Sequence, residues 1–307
     1  MAESAKDSHE NHANSASSKC GFVALIGRPN AGKSTLLNAL INENIALTSH
    51  KVNATRRQSN IIVMNGNAQI IFIDTPGLHN NTKTLNQFML EATQNAMESC
   101  DIIAFIATAS DSIKHYEEFL ALKHGKKHIV LLNKIDLISR ESLLKKLKEY
   151  EKYSTFYESL IPISCNKNIN LAQILNELTK LLPDSVHFYS SDIITSSNLR
   201  EIYREKIRES LFNLTNKEIP YESEVLIKSI QESQNLTKIY AQIITQKDSQ
   251  KKIIIGSKGK SIKNIGINAR KKIEEISETK VFLSIEVITQ KGWSKDKMKL
   301  KMLMEQM

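Results

Sequence analysis

The sequence predicts two domains: an α/β domain with a mostly parallel sheet covered by helices on both faces, followed by an α+β domain of order α-β-β-α-α-β. Three observations carry this. Up to residue 183, short apolar β-branched runs alternate with stretches of three-to-four-residue apolar spacing, the pattern of a parallel sheet with crossover helices. A Pro183-Asp184 break and a polar stretch then interrupt the pattern, and beyond them the two periodicities return in a different order. With 307 residues, 41% apolar and 24% charged, the chain can build two sizeable cores and is neither collagen-like nor wholly disordered.

Residues 1–19 are polar and carry Glu3, Asp7 and Glu10. They lack the apolar stretch of a secretory signal and the arginines of a mitochondrial one, so a disordered tail is expected. The first domain is expected over 20–183, with strands at 22–26, 59–64, 69–73, 101–107, 128–132 and 160–163 and helices over 33–41, 85–99, 139–150 and 170–181. A linker is expected over 184–197 and the second domain over 198–307. There Asn198 caps a helix over 199–213, with Ile202, Ile207, Leu211 and Leu214 at core spacing and Arg200, Arg204, Lys206 and Arg208 outside. Strands over 224–232 and 237–246, a short helix, a long helix over 261–277 and a strand over 281–289 complete the unit.

No apolar run approaches the roughly 18 residues of a membrane span, so a soluble protein is expected. Cys20, Cys100 and Cys165 lie far apart without CxxC spacing, which argues against a disulfide framework or zinc site and for a reducing cytoplasm.

In parallel sheets ligands bind beyond the carboxyl ends of the strands, so the loops after each run carry the chemistry. The first is GRPNAGKS, with Gly27, Arg28, Pro29, Asn30, Ala31, Gly32, Lys33 and Ser34 in the order of a phosphate-binding P-loop, and Thr35 following in the helix. Its glycines let successive N–H groups face phosphate oxygens, Lys33 meets the β/γ-phosphates, and the Ser34 hydroxyl suits Mg²⁺. The loop DTPG supplies Asp74, a carboxylate for Mg²⁺, and Gly77, whose N–H can sense a γ-phosphate. NKID then places Asn133, Lys134 and Asp136, and SCN places Ser164 and Cys165. The Asp136 carboxylate can accept both guanine N1–H and N2–H₂, a pairing adenine cannot match. Asn133 can tie the loops together, Lys134 can cover the base, and N–H groups near Cys165 can reach guanine O6. The loop order therefore predicts a GTP/GDP site with Mg²⁺, in which Lys33, Asp74 and Gly77 act on the phosphates.

Charge separates the halves. Residues 1–190 carry 20 Lys+Arg against 18 Asp+Glu, whereas 191–307 carry 22 against 15. Between 247 and 272 stand nine cations and one anion, a density that attracts nucleic acid or an anionic membrane surface. Inside this run lies IIIGSKGKSIKNIGINAR, and its GxxG loop gives phosphates close access to the backbone. Ile255, Gly256, Ser257, Lys258, Gly259, Lys260, Lys263 and Arg270 are the candidate RNA-binding residues. On a unit of this topology the segment resembles the KH domain, and the expected ligand is single-stranded RNA.

Taken together, GRPNAGKS, TSHKVNATR, DTPGLH, NKID, PYESEV, the GxxG segment and KGWS resemble the Era family over about residues 20–296. The resemblance implies a P-loop GTPase domain followed by a KH domain, and a GTP-gated factor for small ribosomal subunit assembly. It also implies binding to small-subunit rRNA near its 3′ end, with peripheral association at the inner face of the cell membrane. Segment 46–59 is similar to the family's first switch, where Asn53-Ala54-Thr55 stands for Gln-Thr-Thr and Thr55 is the candidate to complete Mg²⁺ coordination and act in catalysis. Asn30 resembles the K⁺-binding asparagine of some relatives. Leu78 stands where a Ras-like enzyme has the water-orienting Gln, which predicts slow intrinsic turnover. A monomer is expected. The alternative is a membrane-surface GTPase whose basic half reads anionic lipid. Trp293 reads as a packing anchor, His79 as a solvent-facing residue, and 297–307 as a helix covering its own domain.

Overall fold

Apolar runs that cannot stay in water collect into one sheet in the first domain. In the computed structural model, which describes residues 18–41, 59–76, 84–123, 125–190, 193, 195, 199–215, 219–233, 235–296 and 298, the strands are β1 (Lys19–Gly27), β2 (Ser59–Asn65), β3 (Ala68–Asp74), β4 (Ile102–Thr108), β5 (His128–Asn133) and β6 (Ser159–Pro162). They lie in the order β2-β3-β1-β4-β5-β6, all parallel except β2, which returns antiparallel to β3 through a tight turn at Gly66 and Asn67. β3, β4 and β5 are buried at every position because helices cover both faces, which explains their unbroken apolar sequence. On one face pack α1 (Lys33–Ile41), through Leu36 and Leu37, and α5 (Leu171–Leu181), through Ile174 and Leu178. On the other lie α2 (Thr84–Ser99), α3 (Lys114–Leu122) and α4 (Arg140–Glu151), through Met97, Phe119 and Tyr150.

Helix α3 lies outside the sequence expectations. It is only nine residues long, its buried residues are the aromatics Tyr116 and Phe119, and Ile113 at its start offers no capping side chain. Those aromatics surround a buried imidazole: Tyr116 Oη lies 2.8 Å from His128 Nε2, and Phe119 meets the His128 ring edge-on at 5.1 Å.

The stretch expected as a linker is held along the first domain. The buried Gln69 amide imitates a strand: its Oε1 accepts from Phe188 N (2.9 Å) and Tyr189 N (3.0 Å), and its Nε2 donates to Tyr189 O (2.7 Å). Further on, Thr195 Oγ1 donates to Asn60 O at 2.8 Å on edge strand β2.

The second domain contains α6 (Leu199–Leu214), β7 (Ser223–Ser233), β8 (Leu236–Thr245), α7 (Asp248–Ile255), α8 (Lys260–Ser277) and β9 (Lys280–Thr289). Its sheet runs β7-β8-β9, with β7 antiparallel and β9 parallel to β8. Ile207 and Leu211 of α6, Ile265, Ala269 and Ile273 of α8, and Ile239, Ala241 and Ile243 of β8 form its core. Trp293 is fully buried on the opposite face against Leu226, Ile244 and Ile288, in the packing role its sequence context suggests.

Helix α6 corrects the expectation that its cations lie outside. Arg204, Lys206 and Arg208 are buried, whereas Leu214 is 45% exposed. Ion pairing makes this burial tolerable: Arg204 and Arg208 approach Glu205 at 3.1 and 3.8 Å, Lys206 lies 3.6 Å from Glu209, and Lys272 bonds Glu209 at 2.6 Å. Arg208 also stacks over Phe212. Among the described residues no helix is long and apolar enough to cross a membrane.

Burial, reinforced by Lys123, holds the His128 imidazole down to about 4. The unfolded chain takes up this proton near pH 6.5 and the native chain only near 4, so the contribution is complete above pH 6.5 and lost as pH falls towards 4. Urea unfolding of the full chain at pH 7 and pH 4.5 is expected to show a loss of about 2 kcal/mol from this group, and His128→Asn should flatten the slope.

Candidate functional site

The carboxyl ends of β1, β3, β4 and β5 leave their loops side by side, and that edge gathers the sequence-predicted residues. Gly27 closes β1, packed so tightly on β4 that a Cβ would come 2.2 Å from Ile106 O. The chain then curls through Arg28, Pro29, Asn30 (φ +64°), Ala31 and Gly32 (φ +104°) into α1, where Lys33, Ser34 and Thr35 form the first turn. Lys33 is buried, and its Nζ donates back to Gly27 O (2.9 Å) and Arg28 O (3.1 Å), so the cation sits inside the curl it is expected to share with phosphates. The Arg28 side chain turns outward to Asp111 at 3.4 Å, and Asp111 also accepts from Thr108 N at the end of β4.

Asn133 joins this loop to the others. Its Nδ2 donates to Ala31 O (2.8 Å), while its Oδ1 accepts from Lys134 N (2.8 Å) and Cys165 N (3.3 Å). Lys134, in left-handed conformation, extends its Nζ to Asn30 O at 2.8 Å. Asp136 stays exposed, and Ser164 Oγ donates to its Oδ1 at 2.6 Å, orienting the carboxylate. Cys165 N–H, expected at the base's O6, is here engaged by Asn133 at the long end of hydrogen bonding. Burial pushes the Cys165 thiol up to about 12, which removes it as a nucleophile and leaves its backbone as the useful part.

Asp74 ends β3 facing α1. Ser34 Oγ donates to its Oδ2 at 3.3 Å, and its buried Oδ1 has no hydrogen-bond partner among the described residues. Burial pushes the Asp74 carboxyl up and the Lys33 ammonium down, and each restrains the other's shift through their opposite charges. A hard carboxylate oxygen with an open lone pair beside a hydroxyl is the donor set that Mg²⁺ takes. Bound there, Mg²⁺ supplies charge neutralisation for a triphosphate. Thr55, Gly77, Leu78 and His79 lie outside the described residues, as do residues 1–17, Asn198 and the last nine positions.

In the second domain Gly256 ends α7 with φ +72° and ψ 175°, a backbone state open to glycine, and a Cβ there would meet Ser261 at 2.7 Å. Ser257 and Lys258 form the tip, and Gly259 (φ +74°) has open space where a Cβ would stand, clearance for an approaching backbone. Lys258, Lys260, Lys263 and Arg270 are exposed and Ile255 half-buried. Directly beyond the loop a cavity of about 400 Å³ runs between α8 and β9, lined by Ile262, Lys263, Gly266, Ile267, Arg270, Val281, Phe282, Leu283 and Ile285. Sequence reasoning had named only Lys263 and Arg270 of these. The available signal was half-exposed Ile267 amid lysines, while β9 is brought opposite α8 only by folding.

Comparison with known proteins follows the same division. The 50S ribosome-binding GTPase family matches residues 22–134 and the KH domain family residues 218–294. GTPase Era of Helicobacter pylori (strain G27) is 49% identical over 290 residues, covering 93% of this chain and 96% of its own length. GTPase Era of Campylobacter concisus (strain 13826) is 47% identical over 282 residues, covering 92% and 98%. A crystal structure of Era in complex with MgGDPNP and nucleotides 1506–1542 of 16S ribosomal RNA matches with a TM-score of 0.89 and 33% identity, over 93% of this chain and 98% of that one. An Aquifex aeolicus Era variant bound to GDP.AlF4- matches with a TM-score of 0.88 and 32% identity at the same coverage.

A Cβ on Gly32 would stand 2.2 Å from Asn133 Nδ2 at a φ that side chains rarely adopt. Gly32→Ala is therefore expected to push the two loops apart, costing about 1–3 kcal/mol in urea unfolding and more than tenfold in nucleotide affinity by calorimetry.

Proposed function

The chain belongs to the Era family of GTPases, and from that premise we propose that it binds and hydrolyses GTP with Mg²⁺ and grips single-stranded small-subunit rRNA, serving assembly of the small ribosomal subunit. The observation that carries the nucleotide reading is the exposed Asp136 carboxylate, held by Ser164 on a loop that Asn133 ties to the phosphate curl. A carboxylate so fixed selects the purine presenting two donors on one edge. Gly27 to Thr35 cradle the phosphates, Ser34, Asp74 and Thr55 organise Mg²⁺, Gly77 senses the γ-phosphate, and Asn133, Lys134, Asp136, Ser164 and Cys165 hold guanine. With Leu78 in place of a water-orienting Gln, intrinsic turnover is slow.

RNA enters at Gly256 to Lys260 and the groove beyond, with Lys263 and Arg270 on its rim. The segment that the related Era holds, nucleotides 1506–1542 of 16S ribosomal RNA, is the first ligand to try. In this reading the domains are 20–183 and 198–307, joined by 184–197 after a tail of 1–19, and the chain works as a cytoplasmic monomer. GTP orders the switch segments, and that order passes to the RNA-binding half. Linkage then requires RNA to change GTP affinity, and equal RNA affinity with GDP and a nonhydrolysable GTP analogue would break the coupling. Peripheral attachment to the inner face of the membrane rests on the family resemblance and on the basic run, and competition between RNA and anionic vesicles tests it.

Asp136→Asn is expected to weaken GTP binding roughly 100-fold by calorimetry without admitting ATP, and to leave RNA affinity unchanged without nucleotide. Asn30, exposed on the phosphate curl, resembles the K⁺-binding asparagine of some relatives, and on that reading replacing K⁺ by Na⁺ should lower the rate of phosphate release. An unchanged rate removes K⁺ from the mechanism.

A further inference from the structure

The sheet of the second domain has two faces, and the helices use one. Ile239, Ala241 and Ile243 of β8 and Val281 and Val287 of β9 point into the core. The two-residue period therefore turns Tyr240 and Phe282 to the other side. One end of that face is closed by Trp293. At the other, Tyr240 is 37% and Phe282 49% exposed, their ring centroids 6.0 Å apart and their planes tilted by 59°. Lys238 is the register partner of Phe282, and Lys280 precedes Phe282 on the same face, both exposed. Around the rings stand Ser284 and Gln242, and Gln242 Nε2 donates to Glu286 Oε2 at 2.6 Å, so the nearby carboxylate is already engaged.

Phe282 also lines the groove between α8 and β9, so groove and outer face meet at edge strand β9. Resting on the reading that the groove takes single-stranded RNA, we propose that Tyr240 and Phe282 form a second, base-stacking platform, onto which the strand continues after leaving the groove over β9. The apolar area is confined to two rings in a polar surround, too small for an apolar protein face and the size of a stacked base. Lys238 and Lys280 flank the rings where phosphates would pass. Every base offers a π-face, so the platform adds affinity without reading sequence.

Oligoribonucleotide length separates this platform from the groove. Full-length protein is titrated by fluorescence anisotropy with a four-residue and a ten-residue oligoribonucleotide from the 3′ end of small-subunit rRNA. Tyr240→Ala is expected to weaken the ten-residue RNA roughly 5- to 50-fold and leave the four-residue RNA unchanged, with Tyr240→Trp restoring the longer one. Thermal melting of each variant reports its fold. Unchanged affinity of Tyr240→Ala for the long RNA, or equal loss for both lengths, overturns the platform. Failure of the unmodified protein to bind either RNA overturns the groove reading instead.

Discussion

A single buried amide joins segments of the chain 102 residues apart. Asn133 donates to Ala31 O in the phosphate curl and accepts from Lys134 N and Cys165 N, so loops after β1, β5 and β6 share one side chain. Each buried group left without its partner would cost about 1–3 kcal/mol, a large share of a domain's stability. The arrangement depends on Gly32, because no larger residue leaves room for the Asn133 amide. Where this amide holds, the curl stands at a set distance from Asp136, and a ligand with phosphates at one end and a purine at the other can span both.

Around that junction the domain stores electrostatic work in advance. Lys33 and Asp74 are both buried, which opposes charge on each, and their mutual attraction offsets part of that cost. The curl's own carbonyls take two of the three Lys33 donors, and one Asp74 oxygen has no hydrogen-bond partner among the described residues. An incoming phosphate and its cation meet groups already desolvated and aimed, so little reorganisation is needed at binding.

The second domain answers a different demand, access for a polyanion chain. Positive φ at Gly256, Lys258 and Gly259 bends the backbone outward while the following lysines stay in solvent. Behind the loop, α8 and β9 leave apolar space of about 400 Å³ where unstacked bases can leave water. Buried cations on α6, paired with Glu205 and Glu209, show that positive charge in this half also serves packing.

Motif order and periodicity determined much by themselves. Six strand runs, the phosphate curl, the carboxylate after β3 and the guanine-type loop were readable because each depends on neighbouring residues and on strand-end geometry shared by parallel sheets. Helix α3 was not, since it is short and its buried residues are two aromatics whose partners, His128 and Tyr150, lie elsewhere in the chain. The cations of α6 looked exposed because helical spacing says which residues share a face and not whether that face will be covered. Likewise, the tie of Gln69 to residues 188 and 189 and the groove that α8 and β9 line together join positions far apart in sequence. Local sequence sets backbone preference and side-chain chemistry, but burial and long-range contact are properties of the assembled surfaces, and only the tertiary structure decides them.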